Sequence, residues 1–306
     1  MTKTTTESDS TITLSHARSA ASAVAGAPWQ RLGYKLTMGL RSRAEADWLP
    51  LGDLFGDDDL RDGQIALKAQ LAAQRPTAIF AALDNSEESG AEVFDMVAAH
   101  RAHYHNQSGA TRTAGRHPLD DAARLLPEDL LLLAPQGDGD SQRWHLVAGA
   151  LAFPAHWVLA EKMGKPLAAI HEPVPHYTER LETAMDRFFN KMQIGPISSR
   201  MNWSLQAGED YFAPHRSARI TLDQTNVPHD LFLRVENQTL RKLPATGHIL
   251  FTIRTHMVPF GFWQDQPAAI ADLLSMMQDM SHAARDYKGV HLYEEPLRAW
   301  LSTLDT

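Results

Sequence analysis

The stretch DLFLRVENQTLRKLPATGHILFTIRTHMVP, residues 230–259, decides the fold. Alternation with a period of two runs through both halves. Phe232, Arg234, Glu236 and Gln238 fall on one side and Leu231, Leu233 and Val235 on the other, while Ile249, Phe251 and Ile253 oppose Leu250, Thr252, Arg254 and His256. The pattern predicts two long strands paired through RKLPATGH, with their polar faces meeting. An Arg/Glu/Gln/Arg face inside a sheet is costly unless its charges are paired or used. It therefore points either to a surface for anionic groups such as carboxylates or to cross-strand ion pairs on a solvated sheet.

Working outward, SRMNWSLQ (199–206) reads as a third strand, with Arg200 and Asn202 as polar candidates and Trp203 as core. EDLLLLAP (128–135) and QRWHLVAGALAFP (142–154), separated by the Gly/Asp-rich QGDGDS, read as a hairpin. Helical periods occupy 157–164, 177–192, 266–286 and 290–303, and earlier 60–74 and 86–105. The order strand, strand, helices, strand, strand, strand predicts an α+β protein. Its core is a PAS-like antiparallel sheet with helices over one face, framed by N- and C-terminal helices. The expected organisation is a disordered tail over 1–26, a mainly helical region over 27–126, the core over 127–262 and C-terminal helices over 263–306 packing on it. The aspartates 57–59 are expected to be solvated or to cap a helix, since they lack the spacing of a calcium loop.

Composition excludes several classes of function. With 306 residues and 43% hydrophobic content the chain can bury a large core, and a net charge of −8 opposes general nucleic-acid binding. No run suits a membrane span, so a cytoplasmic location is expected. The sequence has no cysteine, which removes thiol nucleophiles, disulfides and cysteine-held clusters; any redox metal must rest on other ligands. Gly-rich phosphate loops, G-x-S-x-G elbows and H-E-x-x-H are missing as well.

Among fifteen histidines, His171 in AAIHEPVPHY (168–177) stands out. Pro173 and Pro175 fix their own φ and push Glu172 and Val174 toward extended backbone, so a ligand arm built here loses little entropy. An ordinary loop with a buried histidine is the competing reading. HRAHYH (100–105) is expected to be a solvated helix end, and His156 and His256 are further possible ligands.

Taken in order, YKLTMGLRSRAEADWL (34–49), LAFPAHWVLAEKMGKPLAAIHEPVPHY (151–177), RMNWSL (200–205) and LFLRVENQTLRKLPATGHILFTIRTHMVPF (231–260) resemble the haem-bearing subunit of the haem-dependent oxidative N-demethylases, also described as dimethylamine monooxygenase. The likeness spans roughly residues 30–265. It implies a PAS-like core holding haem b and oxidising a small secondary amine with O2 to a primary amine and formaldehyde. Electrons would come from NAD(P)H through FMN and a 2Fe–2S cluster on partner reductase subunits, in keeping with a cysteine-free chain. The I-H-x-P-V-P-x-Y block of the family falls on Ile170 to Tyr177 and implies His171 as axial ligand of the haem iron. The block around Arg234, Glu236, Gln238, Arg241 and Pro244, and FTIRT over 251–255, imply cofactor or pocket residues. Arg234, Arg241 and Arg254 are assigned to haem propionates or internal ion pairs, and Glu236 to ammonium recognition or proton delivery. Asn237 departs from the pattern, which usually has arginine there. A non-catalytic haem PAS sensor and a small-ligand-binding module stay open as alternatives.

Overall fold

The computed structural model describes residues 27–32, 38–51, 58–216 and 220–304. The expected tail over 1–26 lies outside the described residues, as do the side chains of the aspartates 57–59. Within the described residues one antiparallel sheet has seven strands: β1 (Arg41–Arg43), β2 (Phe80–Ala82), β3 (Asp129–Gln136), β4 (Arg143–Ala150), β5 (Ile197–Ala207), β6 (Leu231–Lys242) and β7 (Ile249–Pro259). They lie in the order β1-β5-β6-β7-β3-β4-β2. The helices that matter for the site are α1 (Asp58–Gln74), α2 (Glu87–His105), α3 (Pro118–Ala123), α4 (Leu159–Lys162), α5 (Leu167–Ile170), α6 (Tyr177–Arg180), α7 (Glu182–Lys191), α8 (Pro267–Gln278), α9 (His282–Lys288) and α10 (Glu294–Leu304).

The five strands read from the sequence are present as β3 to β7, with β3 and β4 forming the expected hairpin. Their register does not follow the expectation that the polar faces of β6 and β7 meet. Glu236 pairs with Thr255 and Asn237 with Arg254, so every even-numbered residue of β6 sits beside an odd-numbered residue of β7. Arg234, Glu236 and Gln238 therefore share a face, here the front, with Phe251, Ile253 and Met257. Arg241 and Arg254 project from the back. Parity of the connecting loop is the cause: side chains alternate strictly, so one residue more or less in the turn exchanges the faces.

Helices cover both faces. The segment between β4 and β5, carrying α4 to α7, packs on the front through Leu159, Leu167, Ile170 and Phe189 against Leu131, Leu133, Leu240 and Ile249. On the back, Val93, Val97 and Leu119 of α2 and α3 meet Leu130, Leu132 and Leu250. The other half of the back is closed by Leu273 and Trp300 of α8 and α10 against Leu233, Val235 and Val258. Burying these apolar stripes is the main favourable term for the fold.

Three helical spans are shorter than expected. The 157–164 period yields a single turn ending at Gly164, whose φ of +74° suits glycine. The 177–192 period breaks at Leu181, and the 266–286 period breaks before Ser281. Ser281 has extended backbone and its Oγ accepts from the Ala284 amide at 3.4 Å, so it starts α9 afresh.

Candidate functional site

His171 stands directly after α5, with its own amide donating to the Leu167 carbonyl at 3.0 Å. Its Nδ1–H donates to the same carbonyl at 2.8 Å. That bond fixes the tautomer and leaves Nε2 as the lone-pair nitrogen. The ring is stacked on Tyr177, with centroids 4.8 Å apart and planes 8° from parallel. The turn containing Pro173 and Pro175 closes by a Val174 amide to His171 carbonyl bond at 2.8 Å, so the two stacked rings are brought together by the rigid turn between them. Burial is the first cause holding the His171 pKa below the ordinary histidine value, with Arg200 and Lys162 adding to it. The ring is therefore neutral at neutral pH, the form that can donate a lone pair.

The front face of β5 and β6 supplies the polar groups. Arg200 is the cross-strand partner of Gln238 and Asn202 that of Glu236. Glu236 accepts from Gln238 Nε2 at 2.9 Å and from Asn202 Nδ2 at 3.4 Å, and its Oε1 is 3.6 Å from Arg234 Nε. Arg200 presents a buried Nε–H with no partner among the described residues, and Glu236 is its charged neighbour. Lys288 of α9 donates to the Trp203 carbonyl at 3.1 Å and lies 5.7 Å over the Trp203 ring. Its ammonium is pushed down to about 8, by burial first, with Glu236 acting in the opposite sense.

Arg234 is 1% exposed; its two terminal nitrogens are engaged by the protein, while its Nε–H makes no hydrogen bond among the described residues and lies 3.6 Å from Glu236 Oε1. It donates to the Phe153 carbonyl at 2.5 Å, Gln206 Oε1 at 3.2 Å and the Tyr211 carbonyl at 3.4 Å. His156 has φ of +54°, with Arg216, Arg234 and Glu236 as its charged neighbours. Its pKa is lowered to about 4, chiefly by desolvation and then by the two arginines.

The structure thus brings His171, Arg200, Arg234 and Glu236 to the front and places Arg241 and Arg254 behind the sheet. Arg241 pairs with Glu45 at 2.6 Å and lies 4.5 Å over the Trp48 ring. Arg254 is 3.4 Å from Glu128 and lines a cleft of about 510 Å³ on the back. His256 lines the same cleft and is fully buried, with its pKa well below the ordinary value through burial. The expectation of a solvated HRAHYH end is corrected at His100, which is 4% exposed and meets Trp48 edge-on at 5.3 Å. His100 faces into the fold because it continues the Val93–Val97 stripe of α2 at helical spacing.

Arg200 is the group that sequence reasoning singled out without a role. Its alternation with Asn202 gives the shared face, but its neighbour His171 lies on a different element, and no local pattern carries that. Tyr177 as a stacking partner was likewise hidden behind the two prolines. Comparison with known families closes the description: a family model described as haem-dependent oxidative N-demethylase, alpha subunit-like, matches residues 53–298, about four fifths of the chain.

Proposed function

The chain belongs to the haem-dependent oxidative N-demethylase, alpha subunit-like, family, and from that premise we propose that it is the haem-bearing subunit of a monooxygenase that demethylates a small secondary amine such as dimethylamine. The observation that carries the reading is the His171 imidazole. It is neutral, its Nδ1–H is held by the Leu167 carbonyl, and its Nε2 has no partner among the described residues. That donor set fits an axial haem ligand. The spatial order β4-β3-β7-β6-β5, with the helical segment between β4 and β5 laid across the front, supports a PAS-like core.

Haem b, when bound, supplies dioxygen activation and one-electron chemistry. The amine, O2, two electrons and two protons give a primary amine, formaldehyde and water. As the family likeness implies, electrons come from NAD(P)H through FMN and 2Fe–2S partners, in keeping with a sequence that has no cysteine to hold a cluster. Arg200 is the front-face arginine placed to meet a propionate, with its unpartnered Nε–H near His171. Arg234 holds the strand and Glu236. Arg241 and Arg254, behind the sheet, keep the internal ion-pair role in this reading.

Glu236 holds and delivers protons. Asn202 and Gln238 orient its carboxylate, and Arg234, Arg200 and Lys288 surround it with positive charge. Such a surplus of cations repels an ammonium ion and so disfavours substrate capture at this carboxylate. A histidine ligand pushes less electron density toward O–O cleavage than a thiolate, so proton delivery carries more of the activation.

The test is formaldehyde formation from dimethylamine with reductase-supplied electrons. Glu236→Gln is expected to lower kcat by roughly 10² or more while the haem spectrum is unchanged. Wild-type turnover in that variant sinks the relay. If the reduced protein binds CO yet no small secondary amine yields formaldehyde, the non-catalytic haem sensor is the better reading.

A further inference from the structure

The cleft behind the sheet is a second polar site that the haem reading does not use. Arg254 is 3% exposed, and its Nη1 faces Glu128 Oε1 at 3.4 Å. Its Nε–H and Nη2–H, the two donors of one guanidinium edge, have no partner among the described residues. Trp48, 2% exposed, leaves its Nε1–H without a partner in the same lining, and Glu128, 3% exposed, leaves Oε2 without one. Three buried donors and one buried acceptor on a single cleft are expensive to leave unmade. At the rim Arg41 and Arg43, on β1, add positive charge that Asp47 of the same lining offsets in part, and Arg43 donates to the Asp47 carbonyl at 2.7 Å.

We propose that this cleft binds a small organic carboxylate carrying a hydroxyl or amine donor, its two oxygens on the Nε/Nη2 edge of Arg254 and its donor facing Glu128 Oε2. The side-on edge of arginine matches two carboxylate oxygens in plane, which a point charge does not. Glu128 sets the second half of the specificity. A carboxylate without a donor leaves Oε2 unmet and adds like charge beside it, whereas a hydroxy or amino acid satisfies it. Arg41 and Arg43 draw the anion to the mouth. With about 510 Å³ available, the site admits a ligand with an aromatic or branched side chain as well as a small acid. The inference stands apart from haem, because the sheet separates this cleft from His171.

The probes are mandelate and lactate, each set against the same acid lacking its hydroxyl, phenylacetate and propionate. They are titrated into the full-length protein while the indole N–H resonance of Trp48, assigned by Trp48→Phe, is followed. The expected result is saturable binding of at least one hydroxy acid, at least tenfold tighter than its partner acid, with a moving Trp48 signal. Arg254→Gln should weaken it at least tenfold and Arg254→Lys nearly as much, since lysine restores the charge but not the edge. Should both Arg254 variants fail to fold, Arg41→Ala, at the rim, is expected to slow association at low salt on the same Trp48 signal, and Trp48→Phe to weaken mandelate binding as read by titration calorimetry; unchanged values in both overturn the proposal. No saturable response from any of the four acids overturns the proposal, as does unchanged binding in folded Arg254→Gln. Repeating the titration with haemin-loaded protein separates the two readings. Unchanged mandelate affinity supports a distinct site, whereas one-to-one competition assigns the back cleft to haem, overturning both this proposal and the placement on His171.

Discussion

At the scale of single residues, period-two alternation is legible and partnership is not. The sequence places Arg234 and Glu236 on one face of a strand, and the structure agrees. It does not reveal that the terminal nitrogens of Arg234 donate to the Phe153 and Tyr211 carbonyls and Gln206, because those groups come from three other segments. A buried cation with this many acceptors is structural in effect. Replacing it by Met strands Glu236 and the Phe153 carbonyl together, and the expected loss is about 3–5 kcal/mol. Chemical denaturation measures it directly; a midpoint equal to the wild type would show that Arg234 is dispensable to the fold. The same limit explains Arg254. Arg241 falls behind the sheet by the alternation of β6 itself, seven positions after Arg234, whereas the face of Arg254 depends on the parity of the Leu243–His248 turn, which is set by backbone geometry and leaves no mark in composition.

Among the elements, the long strands and the two long N-terminal helices are readable because each carries enough periodic residues to fix its own pattern. β1 and β2 are three residues each, too short to show alternation, and they form only because a neighbouring edge, β5 or β4, offers backbone partners. The segment between β4 and β5 is read as two helices and folds as four short ones. Its contact with the sheet is therefore a matter of packing, and Gly149 marks the closest approach. A Cβ there would lie 2.7 Å from Leu159 Cδ1 and 2.8 Å from Leu131 Cδ2, inside van der Waals contact. Gly149→Ala is expected to cost about 1–3 kcal/mol by overpacking and to weaken haem uptake, since Leu159 opens the segment that ends in His171. A urea midpoint lowered at unchanged slope, together with weaker haemin binding, is the predicted pair of results. Unaltered stability would mean that the segment moves aside freely.

For the whole molecule, the order of elements and the family are legible from blocks of sequence far apart, while the two-faced distribution of polar groups belongs to the folded sheet alone. The buried and half-buried histidines give the fold a pH signature. His100, His117, His248 and His256 all have pKa values lowered first by burial, so the native state holds them neutral. The unfolded chain titrates near 6.5 and binds more protons below that value. Stability is therefore fully present above about pH 6.5 and is lost as pH falls toward the folded values. Thermal unfolding should show a flat Tm above pH 7 and a falling one toward pH 5; a Tm that rises on acidification would contradict this. The central claim is haem on His171, and a haemin titration followed in the visible spectrum tests it, as bound and after dithionite and CO, in the wild type and in His171→Ala. The account predicts one equivalent taken up, a Soret band that moves with CO, and a band lost or altered in the variant. A protein that stays colourless with added haemin, or a variant whose spectra match the wild type throughout, contradicts it.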